Sequence, residues 1–235
     1  MHPFLGEFIG TALLILLGTG VVANVVLSKT KGQNSGWIVI TFGWAMAVFT
    51  GVYTSVQLGG HGHLNPAVTL AVTIFGDFDS QLTGGYILSQ FGGAFCGAAI
   101  AWLAYKKHFD ETTDKDLKLA VFCTAPAIRH SGYNLITEII GTFVLVFGAL
   151  AFSKPASSMG TLDQLPVALL VLGIGLSLGG STGYAINPAR DLGPRIAHFL
   201  LPISGKRDSD WSYSWIPVVG PVVGALIAAK VYSLL

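Results

Sequence analysis

The chain has 235 residues, 52% hydrophobic and 11% charged, and its 13 Lys and Arg against 12 Asp and Glu leave a net charge of +1. Soluble domains carry about a quarter charged residues, so this composition, with a mean hydropathy of +0.65, excludes an ordinary cytosolic domain and predicts an integral membrane protein. A net charge this close to zero offers no electrostatic attraction to nucleic acid.

From the N-terminus, MHPFLGEFIG has neither a basic region nor a cleavage site and reads as the start of a first helix, not as a signal peptide. A hydrocarbon core of roughly 30 Å takes about 20 mostly apolar residues. Six stretches qualify, at about 3–27, 36–57, 82–105, 133–152, 163–181 and 213–234, and an even number puts both termini on one side. Two further apolar stretches, 66–75 and 188–199, are too short to cross. At about 1.5 Å per residue each covers half a bilayer, which predicts re-entrant half-helices.

The interval 106–132 is the longest polar loop, with Lys106, Lys107, Lys115 and Lys118 reading as a solvated face. Cys96 and Cys123 fit neither a disulfide framework nor a metal knuckle. His61 and His63 form a His-x-His pair without a third ligand nearby, so no metal site and no cofactor are assigned. GGSTG at 179–183 matches a nucleophile-elbow pattern, but that pattern works only on a strand-to-helix turn with histidine and acid partners, so no catalytic residue is assigned either. GxxxG spacings at Gly6/Gly10, Gly93/Gly97 and Gly220/Gly224 read as close helix packing within one subunit.

An internal repeat emerges when the halves are aligned. GEFIGTALLILLG (6–18) matches TEIIGTFVLVFG (137–148), pairing Glu7 with Glu138, Gly10 with Gly141 and Thr11 with Thr142. The triplets Asn65-Pro66-Ala67 and Asn187-Pro188-Ala189 then fall at corresponding places, 58 residues after Glu7 and 49 after Glu138. Three spans plus a half-helix per unit make the second unit start on the opposite side of the membrane. The expected architecture is an all-α membrane protein of six transmembrane helices and two re-entrant half-helices in an inverted repeat, over one domain at 1–235 (repeats about 3–105 and 133–234, linked by 106–132).

Asparagine is a strong N-cap and proline suits the first helical position, so each triplet starts a helix. Two half-helix N-termini meeting at the midplane each bring about half a positive charge, which disfavours a cation or a proton on water. Each asparagine carbonyl can cap its helix while its NH₂ aims into the lumen. The segments before the triplets, GHGHL and GYAI, would run extended with backbone facing that lumen, a path opened by glycines at 59, 60, 62, 179, 180 and 183.

With these paired triplets inside an inverted repeat, the sequence resembles the aquaporin family over essentially its whole length. NPARDLGPR (187–195), with Asp191 after the arginine and Arg195 after Gly-Pro, and WIPVVGP (215–221), with Pro217 and Val218, resemble the glycerol-facilitator branch. The resemblance implies a selectivity filter of Trp44, Gly175, Tyr184 and Arg190, with tyrosine at 184 where phenylalanine is commoner. Gly175 would leave room that a histidine would fill. It also implies pore-lining backbone at Gly62, His63, Leu64, Gly183, Ala185 and Ile186, bracing of those loops by Glu7 and Glu138, and a homotetramer with one pore per subunit. One asymmetry stands out, in that LGGHGHLN is one residue longer than the usual pattern.

The implied function is passive passage of glycerol, water and other small uncharged solutes (urea, dihydroxyacetone, hydrogen peroxide) across a cell membrane, with ions and protons excluded. Arg190 supplies a rigid donor fork and Trp44 and Tyr184 an apolar wedge for CH groups. A water-selective channel is one rival. Another is a proton-coupled transporter using Glu7 and Glu138, which would also show inverted repeats. Alternatively, Arg190 is a structural charge paired with Asp191. The resemblance puts both termini in the cytoplasm, although this leaves mainly Lys154 and Lys230 inside, against the positive-inside rule.

Overall fold

The computed structural model describes residues 2–152 and 158–235; Lys154 lies outside them. The elements are helical throughout: α1 (Pro3–Val26), α2 (Trp37–Gln57), α3 (Pro66–Phe75), α4 (Ser80–Ala104), α5 (Lys106–Glu111), α6 (Lys115–Phe122), α7 (Ser131–Phe152), a 3₁₀ turn at Gly160–Leu162, α8 (Leu165–Leu178), α9 (Pro188–Leu200) and α10 (Ile216–Tyr232). α1, α2, α4 and α7 have the length and hydropathy to cross a membrane. α8 and α10 are shorter, at 14 and 17 residues, than the spans expected at 163–181 and 213–234. Turns extend both: 160–164 and 179–182 flank α8, and 211–215 precede α10.

α1 packs on α2 and α4, and α7 packs on α8 and α10, so the two halves repeat one arrangement. Glycines set these distances. A methyl on Gly93 would fall 2.2 Å from the Phe8 carbonyl oxygen, and one on Gly97 2.3 Å from that of Ala12. In the second half a methyl on Gly224 would fall 2.3 Å from the Ile139 carbonyl oxygen, and one on Gly220 2.6 Å from Glu138 Cβ. Gly6 and Gly10 make the same kind of approach to α2 and its following loop. All three small-residue pairs are thus used inside the chain, where backbones meet without intervening side chains.

The long polar interval is not an open loop. It carries α5 and α6, the latter capped by the Asp114 carboxylate, which accepts from the Asp116 and Leu117 amides. Phe109 and Phe122 are fully buried, with ring centroids 5.7 Å apart. Lys118 does not belong to a solvated face: it is 3% exposed and its Nζ donates to the Ser204 carbonyl at 2.5 Å. Its aliphatic stem is buried while its head finds a backbone acceptor. Lys107 and Lys115 are exposed, and Lys106 pairs with Asp110 one turn on.

Candidate functional site

The half-helices α3 and α9 start as their sequences dictate. Asn65 Oδ1 accepts from the Ala67 amide at 2.9 Å, and Asn187 Oδ1 accepts from Ala189 at 3.0 Å and Arg190 at 3.2 Å, with Pro66 and Pro188 at the first helical positions. Each cap also reaches across to the other half. Asn65 Nδ2 donates to the Ile186 carbonyl and Asn187 Nδ2 to the Leu64 carbonyl, both at 2.8 Å. One of the two NH₂ protons on each asparagine is therefore committed to the opposite loop, and one is left for the lumen. The Leu64 and Ile186 carbonyls serve as cross-links between the repeats.

Those carbonyls are aimed by an unusual backbone. Leu64, Tyr184 and Ile186 have φ of +50°, +39° and +45°, a left-handed region that costs a non-glycine residue on the order of 1–3 kcal/mol. The loops are therefore not extended as the sequence suggested; they zigzag through left-handed residues. Carboxylates hold them there. Glu7 accepts from the His63 amide at 3.0 Å and the Leu64 amide at 2.8 Å, and from Ser55 Oγ and Gln90 Nε2. Glu138 accepts from the Ala185 amide at 3.0 Å, the Ile186 amide at 2.9 Å and Thr182 Oγ1 at 2.7 Å. Ser55, Gln90 and Thr182, not singled out in the sequence, belong to these braces. Their polar side chains in apolar surroundings were the available signal.

A cavity of about 490 Å³ runs past this centre. Its apolar wall includes Leu14, Val48, Val52, Val68 and Val171, and its polar residues include His61, His63, Asn65, Tyr184, Asn187 and Arg190. Gly62, Leu64, Ala185 and Ile186 line it as well; Gly183 does not, and faces Thr124 instead. The Arg190 guanidinium lies over the Trp44 ring, its carbon 4.0 Å from the ring centroid, a cation–π contact in a desolvated setting. The helix register puts Trp44 there despite the extra residue before the first triplet. Among the described residues the Arg190 guanidinium has no hydrogen-bond acceptor in the protein, so its donors face the cavity.

Asp191 is not its partner. Asp191 and Arg195 form a fully buried pair, Nε to Oδ1 at 2.8 Å and Nη2 to Oδ2 at 3.0 Å. The two residues that marked the subtype thus bind each other. Asp191 also accepts from the Thr124 amide and hydroxyl, and Arg195 donates to the carbonyls of Thr124, Ser209 and Asp210. Outside the spans, Arg129 lies 2.5 Å from Asp210. Burial pushes the Asp210 carboxyl up, but hydrogen bonds from Arg129 and Ser212 outweigh it and hold the group below its ordinary value. Pro217 and Val218 sit in the first turn of α10, away from the cavity.

Gly175 proves to be less an open corner than a seat. A methyl there would lie 2.9 Å from Tyr184 Cζ, so the tyrosine ring occupies the room the glycine leaves. Trp37 fixes this seat: its Nε1 donates to the Gly175 carbonyl at 2.9 Å and its ring meets Tyr184 edge-on at 5.9 Å. Nothing in the sequence distinguishes Trp37 from a lipid-facing tryptophan. Gly18 backs Trp44 in the same way, since a methyl on it would fall 2.2 Å from the indole. Gly18→Ala is expected to cost about 1–3 kcal/mol through overpacking, read by thermal unfolding in detergent; a melting temperature like that of the parent would mean the indole has room to move.

The GGSTG segment is the turn that ends α8, the described residues contain no strand, and Thr182 spends its hydroxyl on Glu138. No group of three metal-ligating side chains occurs among the described residues.

Residues 1–232 match the family described as Major intrinsic protein. The chain is 57% identical over 233 residues to a probable glycerol uptake facilitator protein of Thermotoga maritima, covering 99% of each chain. It is 53% identical to a glycerol uptake facilitator protein of Streptococcus pneumoniae, covering all of this chain and 99% of that one. Among solved structures it superposes on the aquaglyceroporin from Plasmodium falciparum with a TM-score of 0.87 at 30% identity, over 98% of this chain and 94% of the other.

Proposed function

Because the chain belongs to the major intrinsic protein family, a family of membrane channels, we propose that it passes glycerol, and water with it, passively across a cell membrane while excluding ions and protons. The observation that carries this reading is the placement of Arg190 over Trp44 at 4.0 Å, with the guanidinium donors unclaimed among the described residues and turned to the cavity. A polyol offers hydroxyl oxygens to that fork and CH groups to the indole and the aliphatic wall. The facing N-termini of α3 and α9 and the fixed arginine charge oppose cations along the same path.

The filter is Trp44, Gly175, Tyr184 and Arg190, with the two Asn-Pro-Ala triplets at the midpoint of a single channel domain. Urea, dihydroxyacetone and hydrogen peroxide belong to the same class of small uncharged solutes. The family resemblance supports a homotetramer with both termini cytoplasmic. Against proton coupling, Glu7 is 0% and Glu138 1% exposed, and among the described residues both carboxylates accept their hydrogen bonds from donors of the braces.

Stopped-flow light scattering on proteoliposomes tests the reading: glycerol permeability well above that of protein-free vesicles, unaffected by a protonophore, is expected. Fast water flux without glycerol flux would make the protein a water channel, and collapse with a protonophore would make it a coupled transporter. Arg190→Ala is expected to admit larger or charged permeants; unchanged selectivity would remove Arg190 from the filter.

A further inference from the structure

Away from the constriction, at the end of the channel beside the N-terminus, the rings of His61, His63, Phe78 and Tyr86 form one cluster. Phe78 meets His61 at 5.3 Å, His63 at 4.8 Å and Tyr86 at 4.8 Å between centroids. Phe4 backs it, seated on Gly85, where a methyl would lie 2.5 Å from its Cζ. The cluster holds the two imidazoles side by side, with centroids 5.7 Å apart. The hydrogen bonds around them decide which nitrogens stay free. Thr69 Oγ1 gives its single proton to the Asn65 carbonyl at 3.1 Å and accepts from Gln90 Nε2 at 2.9 Å. Toward His63 Nδ1, 3.2 Å away, it only accepts, so that nitrogen carries the proton and His63 Nε2 keeps its lone pair. His61 Nδ1 pairs with the hydroxyl of the fully buried Tyr86, which leaves its Nε2 free as well. Among the described residues neither Nε2 has a hydrogen-bond partner, and His63 Nε2, unlike that of His198, is not sealed inside the protein.

His61, His63 and Val72 line both the channel and a side pocket of about 420 Å³, whose other walls are Asp77, Phe78, Asp79 and Leu82. Two carboxylates and the C-terminal end of α3 draw a cation to that corner. Among the described residues no lysine or arginine lines it. Metal-ligating histidines hold their other ring nitrogen in a hydrogen bond, as both do here. Two imidazoles that share one ion, at about 2.0–2.1 Å from each nitrogen, carry their centroids roughly 5–6.5 Å apart, a range that includes the spacing of this pair. We propose that Nε2 of His61 and Nε2 of His63 bind a divalent transition-metal cation, of the zinc, nickel or copper class that imidazole favours, and that the bound ion restricts flux at the channel mouth. No third metal-ligating side chain joins them among the described residues, so water completes the coordination and Asp77 and Asp79 act through it. The facing N-termini of the two half-helices keep the ion from passing further. Such a two-imidazole site releases its ion readily, as a reversible brake must. The metal site stands on this geometry alone, whereas its effect on flux rests on the reading of the protein as a glycerol channel.

Zinc chloride is the probe, with two readouts. Isothermal titration calorimetry on the detergent-solubilised protein measures binding. Stopped-flow on proteoliposomes with zinc on both faces measures glycerol permeability, each variant referred to its own metal-free flux. The parent is expected to bind zinc and to lose most of its glycerol flux, with recovery on adding a chelator. Losing a group that only orients a ligand costs about 10–100-fold in metal affinity, so His61→Gln and His63→Gln, which each remove a ligand, are expected to weaken binding and inhibition by at least that much. Inhibition of His61→Gln at the parental zinc concentration overturns the proposal, and so does a parent that binds no zinc. Zinc bound at the pair with no change in flux overturns the brake. If the parent passes no glycerol even without metal, the channel reading itself fails, while calorimetry on the two variants still decides the metal site.

Discussion

Glu138→Ala is expected to abolish solute flux and to strip the protein of a large share of its stability. Among the described residues the carboxylate is the only acceptor for the Ala185 and Ile186 amides, and it also takes the Thr182 hydroxyl. Each buried donor left unpaired costs about 1–3 kcal/mol. The loop it holds is strained as well, because Ile186 is β-branched and sits at φ +45°. Without the carboxylate that residue has every reason to relax to negative φ.

Relaxation would turn the Ile186 carbonyl away from Asn65 Nδ2 and so break one of the two asparagine links between the repeats. Three donors left unpaired together reach a sizeable part of the roughly 5–15 kcal/mol that holds a typical domain together, even after the strain released at Ile186 is set against them. Thermal unfolding in detergent reads the stability loss, and stopped-flow reads the flux, normalised to inserted protein. Glu138→Gln keeps one acceptor oxygen and should fall between. A Glu138→Ala protein with parental flux would mean that the loop holds itself, and would remove the brace from the account.

The corresponding change at Glu7 differs in one respect. Gln90 bonds both Glu7 and Thr69 Oγ1 from α4, at 2.8 and 2.9 Å. Counting from the paired glycines (Gly93 and Gly220), the residue in the same place on α10 is Pro217, which cannot donate. The first brace is thus cross-tied to a third helix and the second is not, which makes Glu138 the more exposed of the two to loss.

What the sequence made legible follows from what a bilayer demands. Long apolar runs announce α1, α2, α4 and α7 because every backbone group in hydrocarbon must be bonded within its own helix. The half-helices were legible because Asn-Pro is a helix start and the runs after it are too short to cross. The helices inside 106–132 were not, since six and eight residues of mixed charge carry no clear period, and Phe109 and Phe122 gain their burial from tertiary contact.

At the site, residue types told which side chains to watch but not how they are joined. The match of Glu7 with Glu138 marked both as important, whereas their bonds to left-handed loops needed coordinates. The left-handed turns at Leu64 and Ile186 could not be read at all, because glycine is the usual signal for positive φ and neither position has one. Asp191 beside Arg190 suggested the wrong pair: neighbours on a helix point about 100° apart, while Arg195, four residues on, lies on the same face.

That pair sets the second large expectation. Arg195→Met is expected to destabilise the protein by about 3–5 kcal/mol, the range for removing one partner of a buried ion pair. Arg195 and Asp191 are both 0% exposed, so the carboxylate left behind has no water to turn to. The guanidinium also ties three backbone carbonyls, those of Thr124, Ser209 and Asp210, to α9. Losing it frees the stretch after α6 and the stretch before α10 at once. Thr124 packs against Gly183, immediately before Tyr184, so glycerol flux should fall along with stability.

The companion variant separates charge from shape. Asp191→Asn in the Arg195→Met background removes the orphaned charge while keeping an oxygen that can accept from the Thr124 amide. It should recover part of the lost stability, on the order of 1–3 kcal/mol, measured by thermal unfolding in detergent. If Arg195→Met alone melts like the parent, the pair is not holding the outer loops. If the double variant is no better than the single one, the lost carbonyl ties and not the buried charge carry the effect, and α9 is anchored through its arginine alone.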